Sequence, residues 1–156
     1  MKNELTITRI FDASVELVWK SWTEEELITH WWGPQGFITK VKEHDFRPGG
    51  RWEYVMIDEK GNEYPAVGFF KEIVKHKKIT SSDDFGDDFK SQTKMDLPNI
   101  LLFTALFEDI GDRTKLTLIY KHPTELDRIK HEKLGVITGW NSSLDKLQKF
   151  MQIKVS

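Results

Sequence analysis

From Leu134 to Met151 the chain carries a one-sided pattern that demands a partner surface. Ile137, Trp140, Leu144, Leu147 and Met151 recur at steps of three and four, which at about 100° per residue puts them on one narrow stripe of an α-helix. Asp145, Lys146, Gln148 and Lys149 fall off that stripe, and Asp145 precedes Lys149 by four residues, the favourable order for an ion pair. Nearly everything between Phe37 and His122 reads as β-strand, so the surface that receives the stripe is a sheet.

The other elements follow in order. Leu5 to Phe11 alternates and is β-prone. Asp12-Ala13-Ser14 offers capping oxygens to a helix carrying Val15, Val18, Trp19 and Trp22. Thr23-Glu24-Glu25-Glu26 has the form of a capping box and predicts a second short helix with Leu27, Ile28 and Trp31, ended by Gly33-Pro34. Strands are predicted at Phe37 to Phe46, at Arg51 onward, at Tyr64 to His76, around Ile79 to Ser81, at Asn99 to Glu108 and at Arg113 to Lys121. Turn chemistry separates them at Arg47-Pro48-Gly49-Gly50, Asp58 to Asn62 and Gly111-Asp112. Gly68 marks a bend or bulge in its strand. Residues 82–98 hold Asp83, Asp84, Asp87 and Asp88 among Gly, Ser and Pro and read as a solvated, mobile loop. Thr124 caps the helical tail, and Gly135 divides it. One strand, two short helices, six consecutive strands and a long helix make an α+β chain whose curved antiparallel sheet wraps the C-terminal helix, the helix-grip arrangement.

With 156 residues, the chain suits one domain, 1–156, that buries roughly 68–70% of its unfolded surface. A net charge of −2 supplies no basic field for nucleic acid. There is no Cys, which fits a reducing compartment. The opening Met1-Lys2-Asn3-Glu4 has no apolar signal core and no stretch nears the length of a membrane span, so a cytoplasmic protein is expected. Monomer and homodimer both stay open.

An ordered set of motifs resembles a known family. Arg9-Ile10-Phe11-Asp12-Ala13, Val18-Trp19, Trp31-Trp32-Gly33-Pro34, Arg47-Pro48-Gly49-Gly50-Arg51-Trp52 and Gly139-Trp140 with Leu144 and Leu147 look like the homologues of the heat-shock-protein-90 ATPase activator. That family lies in the SRPBCC superfamily of START-like, birch-allergen-like proteins. The resemblance implies the helix-grip fold and a cavity between sheet and long helix that holds an apolar ligand in many relatives. It also implies a chaperone as an alternative partner, although 156 residues are too few to be expected to hold the second, amino-terminal domain that contributes to chaperone binding in the eukaryotic activator.

Six Trp and ten Phe mean either a thick core or an aromatic-lined pocket. An empty, sealed apolar void of roughly 300 Å³ would cost on the order of 7 kcal/mol, comparable to a domain's whole stability. The space is therefore filled by side chains, or it is wet, open or occupied. The expected lining is Trp31, Trp32, Phe37, Trp52, Tyr54, Met56, Phe70 and Phe103, with Trp140, Asn141 and Leu144 from the helix. In this reading Tyr54 or an indole N–H orients the polar end of the ligand.

Chemistry has weaker signals. Pro48-Gly49-Gly50 lacks the spacing and following helix of a phosphate loop and reads as a hairpin connection. His30, His44, His76, His122 and His131 are scattered without metal-ligand spacing and read as surface or capping histidines; no metal or other cofactor is expected. Glu53, Glu72, His122 and Asn141 are the polar residues to inspect for catalysis, but no nucleophile–base pair stands out and no catalytic residue is assigned. The expected function is binding of a small apolar or amphipathic molecule, the alternative a co-chaperone-like interaction module, and the third an enzyme acting on an apolar substrate.

Overall fold

Ser14 sits in extended conformation and its hydroxyl accepts from the Leu17 amide at 3.3 Å, satisfying one of the free donors that open α1 (Val15–Thr23). The computed structural model describes residues 2–155. The first strand, β1 (Glu4–Phe11), leads into α1, whose buried Val15, Val18, Trp19 and Trp22 face the interior. The capping box expected at Thr23 does not form. The Thr23 hydroxyl instead donates back to the Trp19 carbonyl and closes α1, and α2 (Glu25–Ile28) starts from Glu24 without a side-chain cap.

Six further strands follow: β2 (Ile38–His44), β3 (Arg51–Ile57), β4 (Glu63–Val74), β5 (Lys78–Ser81), β6 (Leu102–Asp109) and β7 (Thr114–Lys121). They form one antiparallel seven-stranded sheet in the order β1-β7-β6-β5-β4-β3-β2. Neighbours in sequence pair through turns, and β1 returns to pair β7 over the full register Glu4↔Lys121 to Phe11↔Thr114. Register shifts at Val41/Glu43 and Phe70/Glu72 help the sheet to curve.

Gly68 is required where β4 meets the chain leaving β5. A Cβ there would lie 2.1 Å from the Ser82 carbonyl oxygen and 2.7 Å from the Trp52 indole. The close approach lets residues 82–84 continue alongside β4, with paired amide bonds between Val67 and Asp84 at 2.8 and 2.9 Å. The segment after it is not all loop: α3 (Asp87–Gln92) lies within it. Having no buried residue, α3 leaves no periodic apolar signal in the sequence.

The tail is two helices, α4 (Glu125–Lys133) and α5 (Val136–Val155), divided at Gly135, whose φ of +85° suits glycine. Leu134 therefore caps α4 instead of opening the long helix, which runs past Met151. Its buried face is Trp140, Ser143, Leu144, Leu147 and Met151, while Ile137 is 41% exposed and lies off it. Leu144 and Leu147 are fully buried, each worth roughly 1.5–3 kcal/mol relative to exposure. At the β1 edge Arg9 binds Asp145 at 2.6 Å and the Asn141 side-chain oxygen at 3.2 Å, pinning α5 across the sheet. Among the described residues no helix is long and apolar enough to cross a membrane.

Candidate functional site

The interior between sheet and helices is filled by rings at one end and hollow at the other. Trp22, Trp140 and Phe103 stack nearly parallel, with Trp22 and Trp140 centroids 5.6 Å apart at 5°, and Trp32 meets Trp140 edge-on at 5.1 Å. Beyond Trp32 and Trp140 a cavity of about 430 Å³ opens, within the usual size of small-molecule sites.

Four pieces of chain build it. The α2–β2 connection brings Trp32, Gly33, Pro34 and Phe37; the β3–β4 hairpin brings Met56, Tyr64, Pro65 and Ala66. Segment 83–100 adds Asp83, Phe85, Phe89, Met95 and Leu97. Tyr120 at the end of β7, His131 and Leu134 from the α4 region, and Gly139, Trp140 and Ser143 of α5 complete it. Met95 and Leu134, 45% and 37% exposed, mark the rim.

Each piece is fixed by hydrogen bonds that the sequence reading did not anticipate. Ser143 Oγ accepts from the Gly33 amide at 3.1 Å and donates to the Trp31 carbonyl at 2.9 Å. Lys146 Nζ donates to the Gly33 carbonyl at 3.1 Å, and burial holds this ammonium below its ordinary pKa. Segment 83–100 is tied at its start by the Val67–Asp84 bridge and at its end by Asp127, which accepts from the Asn99 amide at 2.9 Å. That bond, with the Thr124 hydroxyl, holds the Asp127 carboxyl below the usual carboxylate range.

Polar groups gather around Tyr120. Trp140 Nε1–H donates to Tyr120 Oη at 2.9 Å, and the Tyr120 hydroxyl stands beside the Asp83 carboxyl. Asp83 is half-buried and lines the cavity. Loss of water pushes its pKa up to about 7, with the Tyr120 hydroxyl opposing and the Asp84 charge adding to the rise. Burial and the nearby Asp83 raise the Tyr120 phenol well above its ordinary value.

On the other side of Tyr120 lies a histidine pair. His131 packs edge-on against the Tyr120 ring at 4.7 Å, and its Nδ1 lies 2.9 Å from His122 Nε2. The Asn3 carbonyl, an obligate acceptor, lies 2.9 Å from His122 Nδ1. His122 therefore carries its proton on Nδ1 and accepts from His131 Nδ1–H. Burial, with His122 adding, lowers the His131 pKa to about 4. Both histidines are buried, which corrects the expectation of surface or capping roles. Among the described residues no three His, Cys, Asp or Glu side chains stand where they could hold a metal ion.

Residues 12–152 match the family model described as activator of Hsp90 ATPase homolog 1-like protein. The chain belongs to that family. Solved structures with the same fold include a protein from Arthrobacter aurescens, 24% identical, with a TM-score of 0.85 over 97% of this chain and 87% of the other. A Mycobacterium smegmatis protein is 23% identical, with a TM-score of 0.85 over 98% and 93%. The protein from Silicibacter pomeroyi that bears the family's name is 21% identical, with a TM-score of 0.74 over 97% and 99%. Among curated proteins nothing matches.

In this member of the activator of Hsp90 ATPase homolog 1-like family, four of the expected lining residues, Trp32, Phe37, Met56 and Trp140, line the large cavity. Trp52, Tyr54, Phe70 and Phe103 lie deeper, around a void of only about 30 Å³. The expectation that Tyr54 presents its hydroxyl to a ligand is corrected, because that hydroxyl is held by His44 Nδ1 at 2.7 Å. Trp31 and Leu144 are fully buried in packed core, with Trp31 Nε1 donating to the Ser21 carbonyl at 2.9 Å. Asn141 faces Arg9 at the β1 edge. Glu53 and Glu72 form ion pairs with Arg51 at 3.1 Å and Lys78 at 2.7 Å, away from the cavity. The residues missed include the polar Tyr120, Asp83 and His131 and the apolar Tyr64, Phe85 and Phe89. Tyr120 was readable, since Leu116, Leu118 and Tyr120 alternate inward along β7.

Proposed function

We propose that this protein binds a small apolar or amphipathic molecule in the cavity between the β3–β4 hairpin, segment 83–100 and α5. The observation that carries the reading is the cavity itself: about 430 Å³, walled mainly by aromatic and aliphatic side chains, with its polar groups gathered at Tyr120. Its rim at Met95 and Leu134 opens it to solvent, and a ligand there would take the place of water against largely apolar walls. The rigid ties at Ser143, Lys146 and Asp127 support a preformed site. The co-chaperone alternative rests on the family description.

Gly139 gives a test that spares the fold. It is a helical residue whose added Cβ would meet only Pro34 Cγ, at the ordinary distance of 3.7 Å. Gly139→Leu should fill the cavity and raise helix propensity by roughly 1 kcal/mol. Fluorescence titration with N-phenyl-1-naphthylamine is expected to saturate on the native chain and to weaken at least about tenfold on the variant, with no loss of thermal stability. Equal binding to both proteins, or none to the native chain, would refute the proposal.

A further inference from the structure

The hydrogen-bonding capacity of the cavity is unbalanced, and the imbalance names a ligand class. Two donors at its polar end are already used within the protein, Trp140 N–H on Tyr120 and His131 Nδ1–H on His122, and the Tyr120 hydroxyl stands beside Asp83. What remains is two acceptors. The Asp83 carboxylate faces the void, and His131, neutral and with its proton on Nδ1, has an Nε2 lone pair with no hydrogen-bond partner among the described residues.

Charge gives the same direction. Among the described residues no Lys or Arg lines the cavity, and Asp83 is the one carboxylate in its wall. Three nearby cations are engaged elsewhere: Lys90 with Asp84 at 2.8 Å, Lys130 with Asp96 at 3.2 Å, and Lys146 on backbone carbonyls. A carboxylate or phosphate end on a ligand would find neither a donor nor a countercharge. Resting on the cavity reading above, we infer that the ligand is amphipathic with a hydrogen-bond-donating polar end, a protonated amine fitting best, docked between Asp83 and His131. Its apolar part lies among Trp32, Phe37, Phe85 and Trp140. An ammonium there supplies the charge that the half-buried carboxylate lacks, and the surrounding ring faces favour a cation. An alcohol satisfies one acceptor without that gain.

The experiment is displacement of N-phenyl-1-naphthylamine by three probes with one tail and different ends: octylammonium, octan-1-ol and octanoate, at about pH 8, where the amine is charged and Asp83 is ionised. Octylammonium is expected to bind at least about tenfold more tightly than octanoate, with the alcohol between them. In Asp83→Asn, checked for fold by circular dichroism and for saturable naphthylamine binding, the amine should fall to within about threefold of the alcohol measured on the same variant. Octanoate binding as tightly as octylammonium, or an undiminished amine preference in Asp83→Asn, would overturn this inference and leave the cavity reading standing. Failure of the naphthylamine itself to bind would overturn both.

Discussion

Asp83 and His131 stand on either side of Tyr120 and keep their neutral forms over opposite ranges of pH. Asp83 holds its proton in the folded protein up to about pH 7, whereas an unfolded carboxyl releases it near ~4. The folded state thus binds the extra proton, and this group's contribution falls as pH rises through that window. His131 is neutral in the fold down to about pH 4 and in the unfolded chain only above 6.5. There the unfolded state binds the extra proton, so stability rises with pH. Across the overlap the two slopes cancel. Tyr120, Asp84 and His122 face the pair, but the phenol is raised away from this range. Relative to the native chain, Asp83→Asn should gain a positive slope of stability against pH between about 4.5 and 6, approaching ~1.4 kcal/mol per unit. His131→Asn, whose amide still offers a donor to His122, should gain a negative one. Urea unfolding over a pH series reads both, and parallel slopes in all three proteins would contradict the assignment.

At the scale of elements, the decisive contact is the passage of residues 82–84 beside β4. Gly68→Ala would drive a methyl group into the Ser82 carbonyl and the Trp52 indole, neither of which can turn aside. The expected loss is roughly 1–3 kcal/mol or more, measured by urea denaturation, with faster amide exchange at Val67 and Asp84. The same contact explains what could be read in advance. The long helix, the seven strands and most turns declare themselves locally, through Trp140, Leu144 and Leu147 at helical steps, Ser14 as a cap and glycines at turns. Asp83 does not. It is one of four carboxylates in a short acidic stretch, and only the long-range pairing of its neighbour Asp84 with Val67 of β4 brings it to the cavity wall. His131 left a faint trace: with Asp127 it makes an i, i+4 pair of buried polar residues on a helix otherwise facing water. The failed capping box at Thr23 is the converse case, a local motif overruled when α1 kept that residue.

For the molecule as a whole, the sheet is completed when its first strand in sequence pairs with its last. Glu4 pairs with Lys121 and Phe11 with Thr114, so β7 lacks one of its neighbours until the first residues find it across more than a hundred intervening ones. Topologies so dominated by distant pairings fold in roughly milliseconds to seconds. Stopped-flow tryptophan fluorescence should place refolding in that range, and a microsecond phase carrying the full amplitude would rule it out. The parallel indoles of Trp22 and Trp140 have a consequence of another kind. One rides on the first helix and the other on the last, near enough for their excited states to mix, so the pair forms a coupled chromophore. Its near-ultraviolet dichroism depends on the angle between the two rings, and any tilt of the long helix is reported by the protein's own optics without an attached label.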